Sequence, residues 1–193
     1  MGRRIAYLHI GLPGSGGDFL EQELAEHAEA LADQGVQAPA VAPGEMSRAA
    51  IEIRREHRAW GYERREVEGA WAAICRRVRK GPRVSVVSNE LLSACTEDQA
   101  VLLLDTLAGI EVHVVITARR ADAARHELVA LQARVAQALR RPERVHVLVV
   151  PADAEPRAWI WQALGDLVGY DVARLREPAL SGAARRPRRQ RAM

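Results

Sequence analysis

Tyr7 to Leu20 reads YLHIGLPGSGGDFL, and the fold turns on how this stretch is read. Ile5 to Ile10 is a short β-branched, aromatic and aliphatic run, the composition of a strand. Gly11 to Gly17 holds four glycines and a proline, so the chain turns there. Helical spacing resumes at Asp18, with Phe19, Leu20, Leu24, Ala28 and Leu31 on one face, and predicts a helix to about Gln34 closed by Gly35. Asp18 and Glu21 have the N-cap and N3 spacing of a capping box. Strand, glycine loop and helix together make the layout of a phosphate-binding loop, where backbone N–H groups converge and the helix dipole favours an anion.

The nucleotide-triphosphate form of that loop needs G-x-x-x-x-G-K-[ST]. Gly11 and Gly16 fill the glycine positions, but Gly17 stands for the lysine and Asp18 for the hydroxyl. Lys80 is the single lysine of the chain, so no ammonium reaches the loop from nearby sequence. An ordinary ATPase or GTPase is not expected on this reading.

Outward from the loop, strand-like and helical stretches alternate. Val36 to Gly44, with its prolines, reads as a loop. Residues 46–80 read as helix broken near Gly61, with Trp60, Trp71, Ile74 and Val78 as an apolar stripe and the intervening Arg and Glu as a solvated face. Val84 to Val87 is a strand leading into Ser88-Asn89-Glu90-Leu91. Thr96 with Gln99 marks a capped helix to about Ala108. Ile110 to Ile116 is a strand holding His113, read as a satisfied core histidine, and a helix is expected from about Ala121 to Arg140. Val145 to Val150 and Pro156 to Val168 give the last clear strand and helix, with Trp159, Ile160, Leu164 and Leu167 on one helix face.

Apolar strands separated by helices imply an α/β fold, a mostly parallel sheet between two helical layers. Ligands in such folds bind at the carboxyl ends of the strands. Three stretches are therefore expected to meet: Gly11–Gly17, Ser88–Leu91 and Thr117–Arg120.

The chain has 193 residues, enough for one domain with a real core. No apolar run reaches the length of a membrane span, and the opening MGRR runs into a strand without a hydrophobic signal core, so a cytoplasmic protein without a membrane partner is expected. Cys75 and Cys95 have no C-x-x-C spacing and are expected as buried thiols; neither a disulfide framework nor a metal site is expected. The net charge of +3 is uneven. Residues 174–193 carry seven arginines against one glutamate, +6, which leaves −3 for residues 1–173. The expected organisation is an α/β domain over 1–173 and a basic, disordered tail over 174–193.

Gly11, Leu12, Pro13, Gly16, Phe19 and Leu20 match, in register, the 5′-phosphosulfate loop of the sulfotransferases, whose pattern is close to GLPKTGTTFL. Ser15 replaces its first threonine, Gly14 stands for its lysine, and Gly17 and Asp18 stand for its hydroxyl pair. The stretches ALADQGVQAPAVAPG, VVSNELL and EPRAWIWQALGDLVGYD are similar to further phrases of the bacterial sulfotransferase-like proteins, so the resemblance spans residues 5 to about 173. It implies a P-loop-type α/β fold and the donor 3′-phosphoadenosine 5′-phosphosulfate (PAPS). It places Gly14, Ser15, Gly16, Gly17, Asp18 and Phe19 at the 5′ end of that donor and Arg119 at its 3′-phosphate. It makes Glu90 the base that takes the proton of a hydroxyl or amine on a small-molecule or sugar acceptor. The serine that follows the family's arginine has no counterpart, since no Ser or Thr occurs from Ala118 to Ala152.

Three functions stay open. One is a divergent PAPS-dependent sulfotransferase. The second is a non-catalytic relative kept as a binding or accessory protein, because a lysine and two hydroxyls are missing and each charge-assisted contact to an anion contributes about 1.5–3 kcal/mol. The third is binding of nucleic acid or another polyanion by Arg185, Arg186, Arg188, Arg189 and Arg191.

Overall fold

Valine-rich runs too short for helices form the strands, and the amphipathic segments between them form the covering layers. The computed structural model describes residues 2–120 and 126–175. Its sheet has five strands, all parallel, in the order β2-β3-β1-β4-β5. These are β1 Ile5–His9, β2 Val36–Gln37, β3 Val84–Ser88, β4 Glu111–Arg119 and β5 Val145–Val150. The expected α/β class and parallel sheet are therefore present.

The pleat sorts side chains between two cores. Ala6, Leu8 and Ile10 of the first strand run, with Val112, Val114, Ile116 and Ala118 of β4, face one helical layer. That layer is built from α3 (Glu45–Arg54), α5 (Ala70–Lys80), α6 (Glu97–Asp105) and α7 (His126–Leu139). Val86 and Val115 face the other layer, made of α1 (Leu20–Glu26), α2 (Ala28–Asp33), α8 (Pro156–Val168) and α9 (Val172–Leu175). The short α4 (Arg64–Val67) lies between α3 and α5 in sequence. Apolar residues on both faces explain why the strands read as near-continuous hydrophobic runs.

Several boundaries differ from the sequence reading, each for a local reason. The helix expected from Asp18 to Gln34 is two helices that meet at His27. Asp18 caps nothing: α1 starts at Leu20 behind Phe19, whose side chain makes no cap, and Glu21 is held by Asn89 instead. Val36 and Gln37, read as loop, pair with Val84 and Ser85 as a two-residue edge strand, and Gln37 Nε2 donates to Ser85 Oγ at 2.8 Å. Trp60 leaves the apolar stripe and is half-exposed, while Trp71, Ile74 and Val78 are buried. β4 runs on to Arg119. The Thr96–Gln99 capping box forms as read, although α6 stops at Asp105. Cys75 and Cys95 are buried free thiols, and burial pushes the Cys95 thiol up to about 11. The start expected for the helix after β4, and the tail from 176 on, lie outside the described residues. Among the described residues no helix is long and apolar enough to cross a membrane.

The chain leaves β1 for β2 and β3 on one side, then crosses to β4 on the other. The strand order therefore reverses around β1, and the crevice at its carboxyl end is where such sheets bind ligands.

Candidate functional site

Three adjacent strands carry a polar residue at or near their carboxyl ends on the same face. Val86 is followed two residues on by Ser88, Tyr7 by His9 and Val115 by Thr117, so the pleat that points the first of each pair into the α1/α8 layer points the second there too. His9 is opposite Ser88 in register. The result is a buried row at the foot of the glycine loop. His9 Nδ1 lies 2.8 Å from Ser88 Oγ, and His9 Nε2 lies 2.9 Å from Thr117 Oγ1. Thr117 Oγ1 is 2.8 Å from Ser15 Oγ, which in turn donates to Glu90 Oε1 at 3.5 Å.

While Glu90 is ionised it can only accept, and the run then has a single direction. In that state Ser15 donates to Glu90, Thr117 to Ser15, His9 Nε2–H to Thr117, and Ser88 to His9 Nδ1. His9, Ser15 and Thr117 are fully buried. Burial drives the His9 pKa down to about 3, so the imidazole is neutral. With no surface open to substrate, Ser15 is a clamp for the loop and does not have the access of a nucleophile.

The loop is shaped around this chain. A Cβ on Gly17 would lie 2.7 Å from His9 Cε1, and one on Gly11 would collide with Thr117 Oγ1, so only glycine lets the backbone come this close. Loop amides are consumed internally as well. Leu12 N–H donates to the Thr117 carbonyl at 3.0 Å, and Ser15 N–H to the Leu12 carbonyl at 2.9 Å. Gly17 N–H lies near the Glu90 carboxyl and favours its ionised form. The Glu90 carboxyl is pushed up to about 7, first by burial and then by the Asp18 carboxylate, against the opposing pull of Gly17 N–H and Ser15.

The three stretches expected to converge do meet, and Glu90, Ser15, Gly17 and Asp18 share one mouth. Gly14 and Gly16 complete the loop with φ of +74° and +94°. At Gly14 the surroundings are open, but a lysine placed there would enter the left-handed region. Phe19 is buried, with the Arg157 guanidinium 4.9 Å from its ring centre. Arg119 ends β4, exposed, and its side chain has no hydrogen-bond or ion-pair partner among the described residues.

Two residues that matter escaped the sequence reading. His9 looked like part of an apolar strand. Asn89 is 8% exposed and works in three directions: its N–H donates to the His9 carbonyl, Nδ2 donates to Glu21 Oε2 at 3.0 Å, and Oδ1 accepts from Leu91 N–H at 3.1 Å. Burial raises the Glu21 carboxyl, opposed by Asn89 and Ser47. The signal available was a polar residue closing each of three apolar strands.

Beside the mouth lies a cleft of about 580 Å³ lined by Asp18, Glu21, Gln22, Glu26, Ser47 and the apolar turn from Ala40 to Pro43. Its ionisable lining is entirely acidic. Among the described residues no group of three or more His, Cys, Asp or Glu is placed to hold a metal ion. The arginine cluster from Arg185 to Arg191 lies outside the described residues. No family model matches the chain, and no curated protein matches it.

Proposed function

We propose that this chain is a divergent relative of the PAPS-dependent sulfotransferases that works as a binding or accessory protein in place of a transferase. The observation that carries this reading is the pair of carboxyl groups at the turn where the donor's 5′ end would dock, Glu90 beside Ser15 and Gly17 with Asp18 close to it. Acidic side chains stand where a bound anion would need donors, and the neighbouring cleft adds Glu21 and Glu26. Like charges within a few ångströms of a polyanionic donor oppose binding strongly in a half-buried site. Arg48 acts on Glu21, and Arg157 is engaged by Phe19 and by Glu23 at 3.8 Å.

A second reading keeps the enzyme. Glu90 holds its proton near neutrality, the property of a general base or acid matched to its working pH. In that reading Glu90 swings off Gly17 when PAPS enters and accepts the proton of the acceptor hydroxyl or amine, while Arg119 holds the 3′-phosphate.

Calorimetric titration with 3′-phosphoadenosine 5′-phosphate separates the two. The binding-protein reading expects no saturation by the wild type and saturation by an Asp18→Ser, Glu90→Gln double variant. Saturation of the wild type that Arg119→Ala weakens, together with turnover of radiolabelled PAPS lost in Glu90→Gln, overturns it in favour of the enzyme. Silence from every variant removes the nucleotide from both readings.

A further inference from the structure

At the opposite end of the sheet, β4 and the edge strand β5 carry a second polar cluster that the glycine-loop site does not use. His113 Nδ1 and His146 Nε2 are 2.9 Å apart. The ring centroids are 5.2 Å apart with planes 10° from parallel. So short an N···N contact at so long a centroid separation places the rings edge to edge, each nitrogen lone-pair axis aimed at the other ring. The other nitrogen of His113, Nε2, lies 3.3 Å from Glu111 Oε1. Tyr7 closes one side, its ring centre 5.1 Å from that of His113.

Glu111 decides the tautomer. A carboxylate on Nε2 keeps the proton there, which leaves the His113 Nδ1 lone pair facing His146. His146 can place its own proton on Nδ1 and present Nε2. Two lone pairs then face one another across that contact, and a carboxylate behind one of them is the arrangement that orients metal-bound histidine. The groups around the pair are Glu111, Tyr7, Arg144 with Nη2 3.7 Å from Glu111 Oε2, and Arg3 near Glu111.

We propose that His113 and His146 form a two-nitrogen chelate for a divalent first-row transition ion of the Zn²⁺ and Cu²⁺ class, with Glu111 as the residue that positions His113. The ion takes the place of the shared proton. Two Zn–N bonds at a tetrahedral angle set their nitrogens roughly 3.3 Å apart, each bond roughly 35° off the N···N line, so the contact of 2.9 Å opens by about 0.4 Å and both rings turn, a side-chain movement on a half-buried sheet end. No third protein ligand is placed there among the described residues, so water completes the shell. With Arg144 and Arg3 nearby, the site is an exchangeable one and does not hold the fold together.

The test uses Zn²⁺ alone on the full chain at pH 7.5, by calorimetry and by NMR of the histidine ring carbons. One equivalent is expected to shift the rings of His113 and His146 and leave those of His9, His27 and His57 in place. His146→Gln and His113→Gln each weaken binding tenfold or more, and Glu111→Gln weakens it about tenfold. Zinc that shifts other rings and not these two overturns the proposal, as does binding unchanged in His146→Gln. The NMR measurement on the wild type decides the matter even where a variant fails to fold.

Discussion

The two ends of β4 solve the same problem with different chemistry. At its carboxyl end Thr117 is fully buried and bonded to Ser15 and His9; toward its start His113 is half-buried and bonded to Glu111 and His146. His9 has a hydroxyl on each ring nitrogen and no charge nearby to stabilise a cation, so burial alone decides and the ring stays neutral down to a pKa of about 3. The histidines at the other end have a carboxylate and water within reach. The contrast teaches that what surrounds an imidazole, and not the strand it sits on, decides whether it is a fixed strut or a ring open to solvent.

The largest effect expected from breaking this contrast is at Gly11. Its Cβ position lies against Thr117 Oγ1, Ser15 Oγ and His9 Nε2, so Gly11→Ala prises the chain apart and costs about 4 kcal/mol, overpacking plus lost hydrogen bonds, in a urea melt. His9→Leu follows at about 3 kcal/mol, since Ser88 is left buried without a partner and Thr117 loses one. The His9 contribution has a definite pH sign. Its folded pKa of about 3 lies below the unfolded value of 6.5, so the stability is whole above pH 6.5 and drains away as pH falls toward 3. His9→Leu flattens that slope, and a variant that keeps it shows the ring is not the group responsible.

Glu90 has the opposite sign. Its folded pKa of about 7 lies above the ordinary 4.5, so its contribution is whole below pH 4.5 and is lost as pH rises through 7. Glu90→Gln is expected to leave stability at pH 4.5 unchanged and to raise it at pH 8 by about 1–2 kcal/mol, a figure reduced for the solvent screening of a half-exposed carboxylate. Thermal melts at the two pH values check this, and equal effects at both remove the strained carboxylate from the account. At the far end of β4, His113→Leu is expected to change stability by less than about 1 kcal/mol, because Glu111 and His146 reach water when it is gone. A loss as large as that of His9→Leu abolishes the contrast. The smallest effect is Arg157→Ala, about 0.5 kcal/mol for its place over the Phe19 ring, measured by the same melts.

The elements with strong local signals were legible. Val145–Val150 is apolar but for His146, and Pro156–Val168 opens on its proline behind Glu155 and stops at Gly169, with the residue limits the structure has. Legibility failed where a partner distant in sequence decides the outcome. Asp18 and Glu21 have capping-box spacing, but Glu21 is drawn to Asn89, 68 residues away, and the helix begins later. β2 exists only because Val84 and Ser85 lie beside it. In the candidate site, Ser15, Gly17, Asp18 and Glu90 could be placed together from the loop and strand-end rule, and they are together. His9 could not be singled out, since its meaning depends on Ser88 and Thr117, 79 and 108 residues on. His113 was read as a core histidine, a reading that periodicity favours; only the register of β4 with β5 reveals His146 beside it.

While Glu90 is ionised, donors run one way from Ser88 through His9, Thr117 and Ser15 to its carboxylate, and this has a kinetic consequence. Each hydroxyl faces the direction its neighbour imposes, so no link can turn without its neighbours turning too. The glycine turn is therefore expected to lift off the sheet in a single step or stay down. Deuterium should enter the amides of Ser15 and Gly17 at one common rate, with no graded fraying from the solvent side inward.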